Sequence, residues 1–277
     1  MRRDVLQLRR FYATPLGGAA RAMISRKLEE AWGDGHGLDI LGLGYATPFL
    51  DGFIGARRTV AAMPAAQGVE AWPQGLRNRA CLVDERSLAF PNALFDRIVV
   101  AHGLEEADDP LALLREVWRV LAPSGRTIIV AASRLGLWSD AEQTPFGHGR
   151  PFTRGQLEQL VREAELEPIA WSRALYAPPL GWTAGWAEGF EQIGSRLWPQ
   201  FSGLILLEAV KQTFAVKPRL APAVRRAAVA LRPAPAGPIF DPDVPCLDGP
   251  RLDDQDLERR RDRPRYGRVR VKERLRP

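Results

Sequence analysis

The chain has 277 residues, of which 45% are hydrophobic and 26% are charged, enough to bury the core of one large domain or two small ones. Its formal net charge of +6 is unevenly placed, because residues 217–277 hold 16 Lys and Arg against 9 Asp and Glu while residues 1–216 are nearly neutral. The two cysteines, Cys81 and Cys246, exclude a disulfide framework and a cysteine-rich metal site, and they fit a reducing cytoplasm.

Residues 1–36 are predicted to form an N-terminal helical leader. Within residues 16–32 the apolar side chains recur at helical spacing, which is typical of an amphipathic helix. Those side chains belong to Ala19, Met23, Ile24, Leu28 and Trp32. The first fifteen residues are basic but lack the continuous apolar run of a secretory signal, and no later run is long enough to span a membrane. We therefore expect a soluble, cytoplasmic protein.

From residue 37 onward, strand-like and helix-like segments alternate. Strands are predicted at 37–43, 57–63, 80–84, 95–101 and 126–132. Helical patterns fall between most of them, most clearly at 109–121 and 153–164. Short strand–helix–strand units of this kind favour a parallel, doubly wound sheet with helices on both faces.

The later segments complete this sheet. The strands at 95–101 and 126–132 are nearly continuous apolar runs, which places them at its centre. Residues 168–178 and 202–212 flank an aromatic helical stretch and predict an antiparallel addition at the edge. We expect an α/β fold: a doubly wound, Rossmann-like, mostly parallel seven-stranded sheet over residues 37–216, with an antiparallel edge and a disordered C-terminal tail.

The tail, residues 217–277, repeats proline and ends in an arginine-rich stretch. It has too few apolar residues at any period to offset the entropy lost on ordering, so disorder is predicted. A basic tail can bind RNA or an anionic membrane surface electrostatically. It can equally be an ordinary solvated end, and both interpretations stay open.

The segment LDILGLGYATP, residues 38–48, connects the first predicted strand to a helix. Gly42 and Gly44 allow close approach of the backbone, while Thr47 and Pro48 suit a helix start. Exposed amides at such a turn favour an anionic or polar group, and ligands of α/β sheets bind at this edge. The pattern leaves two alternatives, a ligand-binding loop and a plain strand-to-helix turn.

Polar side chains follow three other strands. Asp84 could accept hydrogen bonds from a base edge, or it could cap a turn. His102 could be a catalytic base or a hydrogen-bonded loop residue. In the loop after the fifth strand, His148 is flanked by two glycines and followed by Arg150. There His148 could act as base or position an acceptor, and Arg150 could bind an anionic group.

Residues 82–133 resemble the class I S-adenosylmethionine-dependent methyltransferases of the small-molecule type. That family has an Asp after the third strand, a Leu-Pro-Phe-like turn, Phe-Asp opening the fourth strand and a helix ending in Val-Leu-x-Pro-Gly-Gly. The corresponding residues here are Asp84, Leu88-Ala89-Phe90, Phe95-Asp96 and Val120-Leu121-Ala122-Pro123-Ser124-Gly125. The resemblance extends over most of residues 37–212.

The resemblance implies methyl transfer from S-adenosyl-L-methionine to an unidentified small or apolar acceptor, with no metal. It implies that Gly42, Gly44 and Ala46 form the cofactor loop and that Asp84 and Leu88 lie at the adenine. It also implies that His102 lies at the methionine end. On this interpretation His148 is the first choice for a base or acceptor-positioning group, His102 the second, and Arg150 holds an anionic part of the acceptor.

An apolar acceptor would also need a lined pocket. Four aromatic residues could supply it, although aromatic residues at helical spacing are also typical of an ordinary core. The four are Trp138, Trp182, Trp186 and Phe190.

Three positions depart from the family pattern. Ala46 stands in place of the third glycine, and Ile40 stands where the acid before the first glycine is expected. The second strand ends in Ala62-Met63-Pro64 and offers no carboxylate for the ribose hydroxyls. A second hypothesis is therefore a degenerate methyltransferase fold that acts as a non-catalytic binding or scaffold protein, with the basic tail engaging RNA, a membrane surface or a protein partner.

Overall fold

The computed structural model of the protein describes residues 3–181, 189 and 202–212. The predicted tail, residues 217–277, and three of the four predicted pocket aromatics, Trp182, Trp186 and Phe190, lie outside the described residues. The helices are α1 (Val5–Tyr12), α2 (Pro15–Trp32), α3 (Thr47–Leu50), α4 (Pro110–Val120) and α5 (Arg154–Glu163). The strands are β1 (Asp39–Gly44), β2 (Arg58–Pro64), β3 (Ala80–Val83), β4 (Phe95–Ala101), β5 (Leu121–Ala132), β6 (Leu166–Ala174) and β7 (Leu204–Lys211).

Seven strands form one sheet in the order β3-β2-β1-β4-β5-β7-β6. The first five strands pair in parallel, whereas β7 runs antiparallel to both β5 and β6. The mostly parallel sheet with an antiparallel edge is therefore confirmed. The strand order reverses between β1 and β4, where Gly44 lies opposite Ala101. Ligands of open α/β sheets bind at the carboxyl ends of strands at such a reversal.

Local capping interactions fix where the helices begin. The side chains of Asp4, Thr14, Asp109 and Thr153 each accept a hydrogen bond from a backbone amide in the first turn of α1, α2, α4 and α5. Pro15 occupies the first position of α2, where its missing amide hydrogen costs nothing. These caps fix the starts of the helices that cover the two faces of the sheet.

Each face of the sheet has its own hydrophobic core. One cluster joins Leu8 of α1 and Ile24 of α2 to β1 and β2. The other joins Val117 of α4 and Val161 of α5 to β4 and β5. Each fully buried aliphatic side chain of this size contributes about 1.5–3 kcal/mol. The N-terminal helices therefore belong to the core of the sheet and are part of what keeps it folded.

Candidate functional site

The glycine turn after β1 lies at the strand reversal. Gly44 has a φ of +83°, and a Cβ atom there would lie 2.2 Å from the carbonyl oxygen of Ala101. A Cβ atom at Gly42 would lie 2.8 Å from Cβ of Ala46. Both glycines are thus required by the packing of the turn against β4 and α3. The two glycines therefore have a structural reason that does not depend on a ligand, and their role in cofactor binding stays a prediction.

Helix α1 covers this turn. The ring of Tyr12 stacks on Tyr45 with centroids 6.0 Å apart and meets Phe49 edge-on at 5.6 Å. Burial, the largest cause, raises the pKa of Tyr12 well above its ordinary value, so its hydroxyl stays protonated. That hydroxyl is hydrogen-bonded to Nε2 of His102 over 2.6 Å. The N-terminal helix is therefore tied to the carboxyl end of β4.

His102 is a buried, hydrogen-bonded residue at the end of β4. Its Nε2 is occupied by Tyr12, and its backbone carbonyl accepts from Nε2 of Gln67 over 2.9 Å. Burial lowers the pKa of His102 to about 3, so the imidazole is neutral at neutral pH. This geometry corresponds to the hydrogen-bonded alternative that the sequence left open. A catalytic role for His102 stays a prediction, and a role through Nε2 requires that Tyr12 move away.

A small polar cavity lies beside His102 at the strand reversal. Its volume is about 10 Å³, enough for about one water molecule. Two side chains come from the loops after β2 and β4, namely Gln67 and Glu105, and a third, His148, comes from the loop after β5. The complete lining consists of Arg3, Leu8, Gln67, His102, Glu105, Glu106, Pro145 and His148. The cavity therefore brings together two of the predicted residues, His102 and His148.

Glu105 also lines this cavity, although no role was predicted for it from the sequence. Its side chain is 5% exposed, and Oε1 accepts from the backbone amide of Ala132 over 3.2 Å. Burial, the largest cause, raises the pKa of Glu105 to about 7, and the neighbouring charge of Glu106 adds to the increase. A glutamate in a loop normally indicates solvent exposure. The feature of the sequence that could have indicated a role for Glu105 is its position three residues after His102, next to the strand reversal.

His148 lies at the mouth of the cavity. Its Nε2 is 2.7 Å from the carbonyl oxygen of Glu142 and contacts the guanidinium group of Arg3. Nη2 of Arg3 also donates to the Glu142 carbonyl over 2.7 Å. The segment before α1 therefore closes the side of the cavity on which His148 lies, and the role of His148 as base or positioning group stays a prediction.

Arg150 is close in sequence to His148 but faces a different cleft. Its backbone amide donates to the carbonyl oxygen of Glu105 over 2.8 Å. Its Nη2 donates to the carbonyl oxygen of Ala107 over 3.1 Å. The side chain lines a cleft of about 370 Å³ together with Asp109 and Phe152, beside α4 and α5. The structure does not bring the Arg150 side chain to the cavity that His148 lines.

Asp84 and Leu88, predicted at the adenine, lie beyond β3. The Asp84 side chain is 58% exposed and accepts from the backbone amide of Arg86 over 2.9 Å. This is the turn-capping arrangement, and it leaves the carboxylate accessible to a ligand. Leu88 is buried in the core beside α4, and its amide donates to Glu116 over 2.7 Å. The role of both residues in cofactor binding stays a prediction.

The predicted pocket residue Trp138 is in the core. It is buried, and its Nε1 donates to the carbonyl oxygen of Ala177 over 2.8 Å. Its ring meets Phe146 edge-on with centroids 5.7 Å apart. This is the core alternative that the aromatic spacing left open.

A carboxylate lies next to the glycine turn although β2 ends without one. Glu70, six residues after Pro64, accepts from the Tyr45 hydroxyl over 2.9 Å. Its other oxygen is 3.5 Å from Nη1 of Arg9, which lies on α1. No sequence pattern indicated Glu70, because it lies well beyond the strand end at which the family has its acid.

Asp39, one residue before the expected acidic position, has a different partner. It begins β1 at the opposite edge of the sheet and forms an ion pair with Nη2 of Arg57 at 2.5 Å. The hydrogen bond from Arg57 is the largest cause that lowers the pKa of Asp39. Asp39 therefore secures the start of β1 and does not face the turn.

Among the residues that the structure describes, no group of three or more His, Cys, Asp or Glu side chains is arranged to hold a metal ion. In the same part of the chain, no helix combines the length and the apolar character needed to cross a bilayer.

Residues 38–129 match the family model described as a methyltransferase domain. The uncharacterized protein Rv2003c of Mycobacterium tuberculosis is 29% identical over 161 residues, which is 55% of this chain and 50% of that protein. The chain thus spans about half the length of the curated relatives that it matches first. The ubiquinone/menaquinone biosynthesis C-methyltransferase UbiE of Coxiella burnetii is 41% identical over 51 residues, covering 18% of this chain and 20% of that protein.

A solved structure has the same fold. It is that of a candidate S-adenosylmethionine-dependent methyltransferase from Listeria monocytogenes, with a TM-score of 0.50 and 14% identity. The alignment covers 71% of this chain and 100% of that one.

Proposed function

We propose that the protein, whose residues 38–129 match a methyltransferase domain, is a class I S-adenosylmethionine-dependent methyltransferase and transfers a methyl group from S-adenosyl-L-methionine to a small-molecule acceptor. The observation that carries the proposal is the glycine turn of residues 42–46. It lies at the reversal of strand order, inside the segment that matches the methyltransferase family. Ligands of such sheets bind at that position. The cofactor, when bound, supplies a methyl group already activated on a sulfonium.

The residues around the turn fit such a cofactor. The Glu70 carboxylate beside Tyr45 is suited to accept hydrogen bonds from the two ribose hydroxyls, in place of the acid missing from the end of β2. The exposed carboxylate of Asp84 is suited to accept from an amino group on a base. Gly42 and Gly44 keep the backbone of the turn free of side chains on the approach to the strand ends.

Helix α1 lies over this site and contacts it through two side chains. A cavity of about 10 Å³ beside His102 is far too small for the methionine part of the cofactor. Arg9 and Tyr12 of α1 bind Glu70 and His102 directly. A cofactor whose methionine part enters this cavity therefore needs α1 to move, and its affinity is reduced by the cost of that movement.

A binding titration with S-adenosylhomocysteine tests the proposal. We expect a dissociation constant in the micromolar range or above. With a value of about 10 μM, 1 mM ligand raises the free energy of unfolding by roughly 2.7 kcal/mol. Glu70→Gln keeps an acceptor for Tyr45 but loses the charge, and it should weaken binding about tenfold or more.

Glu163→Gln, an exposed change on α5, is the control and should bind as the wild type does. The unliganded melting temperature of each variant separates a loss of binding from a loss of folding. Absence of any binding by S-adenosylmethionine and S-adenosylhomocysteine at 1 mM would contradict the proposed function.

A non-catalytic scaffold protein is the second candidate function. The observation that favours it is that α1 lies over the site and contacts Glu70 and His102. In that case the folded domain would present its surface, and the basic tail would supply contacts to RNA or an anionic membrane surface. We propose the cytoplasm as the location for both functions, since the chain has only two cysteines. Folded protein that binds neither cofactor form would support the scaffold.

A further inference from the structure

Glu105 is held in a fixed position by three segments of the chain. Its backbone follows β4, and its carbonyl oxygen accepts from the amide of Arg150. Its Oε1 accepts from the amide of Ala132 at the end of β5. Its Oε2 is buried and has no hydrogen-bond partner within the described part of the chain. One oxygen of the carboxyl group is therefore anchored, and the other is free.

Gln67 presents a second free oxygen to the same cavity. It is 1% exposed, and its Nε2 donates to the carbonyl oxygen of His102. Its Oε1 is buried and, among the residues described, has no partner. Leaving a buried acceptor unpaired costs about 1–3 kcal/mol. Two such oxygens on one cavity therefore indicate a place for a hydrogen-bond donor, which one water molecule can fill while α1 is closed.

The other polar groups of the cavity have hydrogen-bond contacts of their own. Nε2 of His102 is already bound to Tyr12. The guanidinium group of Arg3 contacts His148 and donates to the Glu142 carbonyl. The carboxylate of Glu106 accepts from the backbone amide of Arg3. In the ionised form of Glu105, which is the form that can accept a proton, no hydrogen bond among the described residues reaches either of the two free oxygens. The two oxygens are therefore available to a donor that a ligand brings.

We propose that Glu105 is the proton acceptor of the transfer reaction and that Glu105 and Gln67 together bind the N–H or O–H group of the methyl acceptor. This inference rests on the proposed function. The step balances as follows: the acceptor nitrogen or oxygen bonds to the methyl carbon, the carbon–sulfur bond breaks with its electron pair on sulfur, and the acceptor proton moves to Oε2 of Glu105.

The protonation states agree with this assignment. Burial raises the pKa of Glu105 to about 7, so both its forms are populated at neutral pH, as a general base requires. His102, with a pKa of about 3, remains neutral and binds protons poorly at that pH. The charged and titratable residues that line the same cavity as Glu105 are Arg3, His102, Glu106 and His148. Tyr12 also interacts electrostatically with Glu105.

Proton release on cofactor binding tests the inference without a known acceptor. S-adenosylmethionine carries a positive sulfonium and S-adenosylhomocysteine does not. A cation near Oε2 lowers the pKa of Glu105, which is about half protonated at pH 7. Titration calorimetry in phosphate and Tris buffers counts the protons exchanged. We expect S-adenosylmethionine to release up to about half a proton more than S-adenosylhomocysteine at pH 7.

Glu105→Gln should abolish this difference while changing the affinity for S-adenosylhomocysteine by less than about threefold. Glu142→Gln, an exposed change on the neighbouring loop, is the matched control and should keep the difference. Should Glu105→Gln fail to unfold cooperatively, Glu105→Asp replaces it and should shift the pH at which proton release is largest.

Equal proton release on binding of the two ligands to the wild type overturns the inference, as does a difference that persists in Glu105→Gln. If neither ligand binds the wild type, the affinity measurement shows that the proposed function itself has failed.

Discussion

Replacing Glu105 with Gln is expected to change how the stability of the fold depends on pH. Gln keeps the acceptor for the Ala132 amide and nearly the same volume, but it cannot ionise. The wild-type side chain is protonated in the folded state up to a pKa of about 7, whereas its ordinary value is 4.5. The folded state therefore binds more protons than the unfolded state between those two pH values.

The sign and the size of this pH dependence of the free energy of unfolding follow from proton linkage. The raised pKa of Glu105 contributes fully to the free energy of unfolding below pH 4.5, where the side chain is protonated in both states. This contribution is lost as the pH rises to about 7. A shift from 4.5 to about 7 corresponds to about 3 kcal/mol over that window. Above pH 7 both states are ionised, so no further loss from Glu105 is expected.

Urea unfolding of the wild type and Glu105→Gln, from pH 4.5 to pH 8.5, measures this directly. The two proteins should have similar free energies of unfolding at the acid end, and the wild type should become less stable than the variant by about 3 kcal/mol by pH 8. Contributions of His102 and other groups cancel in the comparison. Parallel pH profiles for the two proteins would refute a raised pKa at Glu105.

Two further predictions concern the turn and the tail. Gly44→Ala should lower the free energy of unfolding by about 3 kcal/mol or more, because a φ of +83° and a Cβ atom 2.2 Å from the Ala101 carbonyl oxygen act together. Gly37→Ala, at a φ of +73° with open space around it, should cost only about 1 kcal/mol, and equal losses in urea unfolding would contradict the packing argument. Deletion of residues 217–277 should preserve one cooperative transition, because the strands that the structure describes end by Lys211; loss of that transition would show that the tail belongs to the core. If the deleted protein also loses binding to anionic vesicles at low salt, the tail acts as an electrostatic tether.

The sheet could be predicted because it depends on local patterns. Continuous apolar runs such as residues 95–101 can be buried only in central strands, and amphipathic segments such as 109–121 can only cover them. The capping residues of the long helices lie next to the segments that they start, so their effect is also local. For this reason most predicted strand and helix boundaries fall within a few residues of those observed.

The site was only partly predictable because its geometry is set by distant parts of the chain. The sequence identified Gly44, His102 and His148 from their positions after strands. It did not indicate that the Tyr12 hydroxyl is hydrogen-bonded to His102, since the two residues are 90 positions apart. It also gave no reason to separate Arg150 from His148, because two residues in one loop can face opposite sides of a strand end.

Local sequence patterns were enough to predict the sheet, the glycine turn and the edge at which a ligand would bind, since hydrophobic periodicity and turn chemistry act between near neighbours. The protonation states of the titratable groups, in contrast, depend on how distant segments pack together. Glu105 has a pKa of about 7 and His102 one of about 3 because α1 and the loops after β2 and β5 bury them together. The burial of a charged group depends on every element that packs around it, and a local sequence pattern does not specify those contacts.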